Sequence, residues 1–155
     1  MRLVPRHEDP LLRSWLVLAG VNRWLQRQSL PKEAGNCVLT GADAATLDLA
    51  NTELVVLSAC ESGLGVVKVG EGVLGLQRAF VLAGARTLIM SLWQVPDQQT
   101  RELMVDFYDR VLQHDEERAE ALRAAQLGIK KRYPDPFYWG AFVCRGDPGP
   151  LAYAR

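Results

Sequence analysis

Apolar runs broken by glycine, proline and polar clusters set the elements expected of this chain. Pro10–Gly20 is an apolar run closed by glycine, and its periodicity fits a strand or a short helix equally. Residues 21–38 are mixed, with Pro31, Gly35 and Asn36 marking a loop. Thr40–Leu47 reads as a short helix entered through Thr40, with Ala42, Ala44 and Ala45 as helix formers. Leu54–Cys60 is the clearest strand, and the glycine-rich stretch Gly63–Gly72 is expected to be a loop. Val73–Ala83 predicts a helix with Leu74, Ala79, Phe80 and Leu82 on its apolar side and Gly84 ending it. Thr87–Trp93 predicts a second strand, which Pro96 stops and after which Asp97 can cap a helix. That helix runs to about Gln113, with Leu103, Phe107, Val111 and Leu112 apolar. A further helix over Glu117–Lys131 and a last strand over Phe137–Cys144 follow, and Gly146–Pro150 ends the domain. Strands alternating with helices predict an α/β fold whose sheet is mostly parallel and flanked by helices.

Composition narrows the function classes. At 155 residues, 48% of them apolar, the chain is one domain with room for a core. The formal charge is zero, which argues against a nucleic-acid or membrane-surface partner. No apolar run has spanning length and Met1–His7 is not a signal peptide, so a cytoplasmic protein is expected. Cys37, Cys60 and Cys144, with His7 and His114, lack the spacing of a metal site, and neither a metal nor a cofactor is expected.

Cys60 is the residue with chemistry. It ends a Val- and Leu-rich strand and is followed by Glu61, Ser62 and Gly63. A thiol there stands at the carboxyl edge of a sheet, where ligands of open α/β folds sit. Backbone N–H groups of the glycine-rich chain after it, Gly63 among them, could hold an oxyanion. Cysteine acts as a nucleophile at neutral pH only with a lowered pKa or an adjacent base. The bland alternative is a buried, inert thiol, which is how Cys37 and Cys144 are read. Gly70–Gly75 matches G-x-G-x-x-G, but a loop separates it from the preceding strand, and a dinucleotide fingerprint needs the glycines directly after the strand. A loop feeding a helix is the simpler account, with nucleotide binding kept as an alternative.

The blocks "TELVVLSACESGLG", "GEGVLGLQRAFVLAGARTLIMSLWQVPD", "ELMVDFYDRVL", "EALRAAQLGIKK" and "FYWGAFVCRGD" resemble, in this order, the CHAT domain. CHAT domains are caspase-like members of peptidase clan CD, similar to separases and often found behind tetratricopeptide repeats. The resemblance runs from about Pro10 to Asp147. It implies a caspase-like fold and a cysteine endopeptidase with a Cys–His dyad, acting on a protein or peptide. Cys60 stands at the nucleophile position and Gly63 at the family's glycine. Trp93 and Asp97 are candidate substrate-pocket residues.

The family's histidine belongs to an H-G motif upstream of "PLLRSWLVLAG". His7 stands upstream but is followed by Glu8, which makes it a poor match for the base. His114, beside Asp115 and Glu116, is expected on the surface. The chain is therefore expected to be the carboxyl-terminal two-thirds of such a domain. Residues 1–9 would be a leader, 10–147 the partial domain and 148–155 a tail. A sheet truncated at its amino end would expose an edge for a second chain or a tetratricopeptide-repeat region. Two leading alternatives follow: a peptidase, or a catalytically inactive interaction module that keeps the fold.

Overall fold

The structure is a computed structural model that describes residues 11, 14–31, 35, 37–58 and 71–152, without the side chains of 71–73. The chain divides into two compact units, one of Met1–Leu49 with Ser62–Ala83, the other of Ala50–Glu61 with Gly84–Arg155.

In the first unit the Pro10–Gly20 run resolves as a strand, β1 (Trp15–Val17), antiparallel to β2 (Val38–Thr40), with Leu16 opposite Leu39. Between them α1 (Val21–Leu25) begins at Gly20, whose φ of 100° lies in the left-handed region. Thr40 then starts α2 (Gly41–Ala45) through a capping box. The Asp43 N–H donates to Thr40 Oγ1 at 3.1 Å, and the Asp43 carboxylate accepts from the Thr40 N–H at 3.1 Å and its hydroxyl at 2.6 Å. These hydrogen bonds hold the Asp43 carboxyl below its ordinary pKa, the Thr40 hydroxyl contributing most. α3 (Glu71–Leu82) packs on α2 and buries Leu76, Ala79 and Phe80. Leu74 and Leu82, expected on the apolar side, are exposed. The buried positions 76, 79, 80 and 83 follow the helical repeat, and 74 and 82 fall outside that stripe.

The second unit is built on three strands in the order β3 (Val55–Leu57), β4 (Thr87–Ser91), β5 (Phe142–Gly146). β3 runs parallel to β4, with Val56 opposite Ile89, and β5 runs antiparallel to it, with Cys144 opposite Ile89. The fold is α/β, and the sheet among the described residues is mixed. Every residue of β4 is buried, as a central strand requires. α4 (Asp97–Gln113) and α5 (Arg118–Arg132) form a helical hairpin beside the sheet, tied at one end by Arg132 and Glu102 at 2.7 Å. Leu103, Phe107 and Val111 from α4 meet Ala121, Leu122, Ala125 and Ile129 from α5 in one core with Ile89 and Phe142. Leu112, expected in that face, is exposed.

The expected strand Phe137–Cys144 is divided. α6 (Pro136–Trp139) occupies its first half. Pro136 suits the first helical position, and the Asp135 carboxylate accepts from the Phe137 N–H at 2.9 Å. Gly140 closes that turn, its N–H donating to the Pro136 carbonyl, before β5 begins. Capping chemistry outweighs the strand preference of the aromatic residues. Asp97 is also corrected: it is the first helical residue and makes no side-chain cap, and an acidic residue in the first turn suits the positive end of α4.

Candidate active site

Parallel pairing puts the carboxyl ends of β3 and β4 on one edge of the sheet. β3 reaches that edge at Leu57, and Ser58 after it is exposed. Cys60, the expected nucleophile, lies outside the described residues, as do Gly63 and His7. β4 reaches the same edge at Ser91, and its hydroxyl donates to the Trp93 carbonyl at 2.5 Å. The Trp93 indole N–H donates to the Phe137 carbonyl at 2.9 Å. Its ring stands beside Gly140, where an added Cβ would lie 3.7 Å from it. Trp93 is thus half-buried and held from two sides.

Asp97 departs from this arrangement. It is exposed, and it lines an open groove along α4 with Gln98, Arg101, Glu102 and Arg132. The structure brings Trp93 and Asp97 to the same chain turn after β4 but gives them different neighbours. His114 closes the opposite end of α4, exposed, its Nε2 3.4 Å from the Asp109 carboxylate. A 17-residue helix is about 25 Å long, so His114 stands far from the edge where α4 begins.

Two other thiols, Cys37 and Cys144, lie among the described residues. Cys37 is buried, and a Cβ added at Gly20 would press against its Sγ at 3.0 Å. Cys144 is half-buried in β5, and desolvation raises its pKa above that of an ordinary thiol. Raising the pKa lowers the thiolate fraction, which disfavours reactivity.

The sequence alone did not single out the opposite, amino edge. There Arg118 is completely buried and Glu53 nearly so. The Arg118 Nη1 donates to the Glu53 carbonyl at 2.8 Å, and Nε donates to the Gly149 carbonyl at 2.7 Å. These partners are 65 and 31 residues away in sequence, and no local pattern announces them. Among the described residues no group of three acidic, cysteine or histidine side chains could hold a metal. No helix among them is long and apolar enough to cross a membrane.

A family model described as CHAT domain matches residues 4–147. Tetratricopeptide repeat protein 28 of Mus musculus is 33% identical over 113 residues, which is 71% of this chain and 4% of that protein. Tetratricopeptide repeat protein 28 of Homo sapiens matches with the same identity and coverage. The chain therefore spans a small fraction of the length of these curated relatives.

Proposed function

We propose a function for this chain from one premise: it belongs to the CHAT domain family. It is a cysteine endopeptidase acting on a protein or peptide, with Cys60 as nucleophile. The observation that carries this reading is the parallel β3–β4 pair, whose carboxyl ends share an edge with Ser58 exposed at one and Trp93 anchored at the other. Cys60 follows Ser58 by two residues, and two residues of chain reach at most about 7 Å.

In this mechanism the Cys60 thiolate attacks the carbonyl carbon of the scissile peptide. The carbonyl electrons move to oxygen, where the Gly63 backbone N–H holds the charge. As the oxyanion collapses, the C–N bond breaks and the leaving nitrogen takes the proton that the base removed from the thiol. Water then releases the acyl group and restores the thiol. His7 is the candidate base within this sequence. Trp93 forms a pocket wall and Asp97 a polar contact for substrate. No cofactor, metal, nucleic acid or membrane enters this scheme, and the protein is read as cytoplasmic.

A second reading, a catalytically inactive interaction module, is favoured by α4. Val105, Tyr108 and Leu112 expose apolar surface along one side of it. A tetratricopeptide-repeat region or a second chain at the edge of β3 would be the partner.

Iodoacetamide labelling at pH 7, resolved peptide by peptide, separates the two. A peptidase labels at Cys60 at least about tenfold faster than a free thiol of ordinary pKa. Cys60 labelling no faster than that free thiol, together with partner capture unchanged in Cys60→Ala, establishes the module instead.

A further inference from the structure

α4 is buried along one face and bare along the other. Leu103, Phe107 and Val111 point inward and are fully buried. The outer face carries Gln98, Arg101, Val105, Tyr108 and Leu112, all exposed. Val105 is 62% exposed and Leu112 53%, which leaves their apolar surface in water. The five positions alternate spacings of three and four residues, the heptad pattern by which one helix seats on another. A solvated helix face has no need of Val, Tyr and Leu on such a stripe, and an apolar stripe rimmed by charge marks a contact surface. Most of the charge beside the stripe is answered within the unit: Glu102 pairs with Arg132 at 2.7 Å and Asp106 with Arg110 at 2.9 Å. Two charges are not answered in this way. Arg101 lines the groove along α4 and has no ion-pair partner among the described residues. Asp109 meets the His114 imidazole at 3.4 Å, and that ring is charged only when protonated. Arg101 and Asp109 stand about 12 Å apart along the helix, too far to pair with each other.

We propose that this face binds a second copy of the chain, the two α4 helices packing antiparallel about a twofold axis. The pairing depends on neither reading of Cys60. Both copies present the same stripe, as a twofold contact requires. An axis passing between Val105 and Tyr108 sets Val105 of each copy on Tyr108 of the other, and Leu112 on the aliphatic stem of Arg101. The Arg101 guanidinium then reaches Asp109 of the other copy, one turn from Leu112, so each unanswered charge meets its opposite. A parallel pair would instead set Arg101 against Arg101 and desolvate both without a counter-charge. The orientation therefore follows from the charges and the contact from the apolar stripe. α4 is already fixed by its buried face, so pairing orders little chain. Two heptads bury less than the roughly 800 Å² per partner of a standard interface, so the dimer is weak and dissociates on dilution.

Sedimentation velocity of the full chain under reducing conditions, from about 1 μM to about 500 μM, tests the pairing. The expected result is a dimer that forms as concentration rises. Val105→Glu places a charge in the seam and should weaken the dimer at least about tenfold, with the thermal midpoint unchanged because the side chain is exposed. Arg101→Asp and Asp109→Arg should each weaken it at least about fivefold by setting like charges together, and the double variant should recover to within about threefold of wild type. That recovery is the decisive reading, since the two positions do not touch within one copy. A chain that stays monomeric at about 500 μM overturns the proposal and leaves the face to a different protein. A dimer unmoved by Val105→Glu overturns it by placing the contact elsewhere. A dimer that Val105→Glu weakens and the double variant fails to restore overturns the antiparallel pairing.

Discussion

The two edges of the three-stranded sheet are built on opposite principles. At the amino edge, Glu53, Arg86, Arg118 and Asp147 neutralise one another, and the backbone of four chain segments is cross-bonded around them. At the carboxyl edge Ser58 and Asp97 are exposed, while Trp93 is fixed by the bonds of its carbonyl to Ser91 and of its indole to Phe137. The charged network thus lies at the edge opposite the one proposed for substrate. Binding segments are commonly drawn from the less stable part of a fold, and a rigid opposite edge makes that tolerable.

The sharpest break of this contrast is Cys60→Ala, which should lower peptide hydrolysis at least about 10³-fold while leaving the thermal midpoint unchanged. Hydrolysis surviving in that variant would move the chemistry to another residue. Arg118→Met strikes the other edge. Removing one partner from a buried charge network costs about 3–5 kcal/mol, read from the urea midpoint. For a chain of this size that is a fall in Tm of roughly 10 °C. A loss below about 1 kcal/mol would show that the amino edge is not the stabilised one.

Trp93→Phe sharpens the comparison at smaller scale. It removes the indole N–H bond to Phe137 and should cost about 1 kcal/mol of stability. If Trp93 is a pocket wall, KM rises more than kcat falls; an effect on stability alone would assign it to packing against α6. Thr40→Ala, in the other unit, should cost about 1 kcal/mol through the lost capping box, a control for purely local structure.

The smallest effect is acid sensitivity at the amino edge. The Gly149 N–H, and after it the Arg118 guanidinium, hold the Asp147 carboxyl below its ordinary pKa. A lowered folded-state pKa adds stability at pH values above the unfolded carboxyl pKa of about 3.9, and that increment disappears as pH falls through the folded value. Asp147→Asn should therefore flatten the fall in stability below about pH 4, measured by urea unfolding across pH 2–6. An identical acid limb in variant and wild type would deny Asp147 any part in it.

Much of the fold was legible because its signals are local. Thr40 and Asp43 stand three residues apart and specify the start of α2 between them. The 103, 107, 111 spacing marks the buried face of α4, and the Val- and Leu-rich run ending at Leu57 marks β3. Local rules misplaced Leu74, Leu82 and Leu112, since hydrophobicity alone does not say which flank of a helix meets a neighbour. They also read Phe137–Cys144 as one strand, because the cap at Asp135 and Pro136 competes with aromatic strand preference. Of the proposed site, Trp93 and Asp97 were named from the family resemblance; the structure bonds Trp93 to Phe137 and leaves Asp97 exposed beside Gln98 and Arg101.

The sequence by itself determined α2, α3, α4, α5, β3 and β4 but not α1, β2 or α6, and it displayed the family resemblance that the family match then established. Only the tertiary structure decided that β5 runs antiparallel to β4, that Arg118 is buried, and that Pro148 and Gly149 cap α5. The physical reason is range. A cap or an amphipathic stripe is closed within a few residues, whereas Arg118 meets partners 65 and 31 residues away. Such a partnership exists only once packing has removed water from around the charge and made its compensation obligatory.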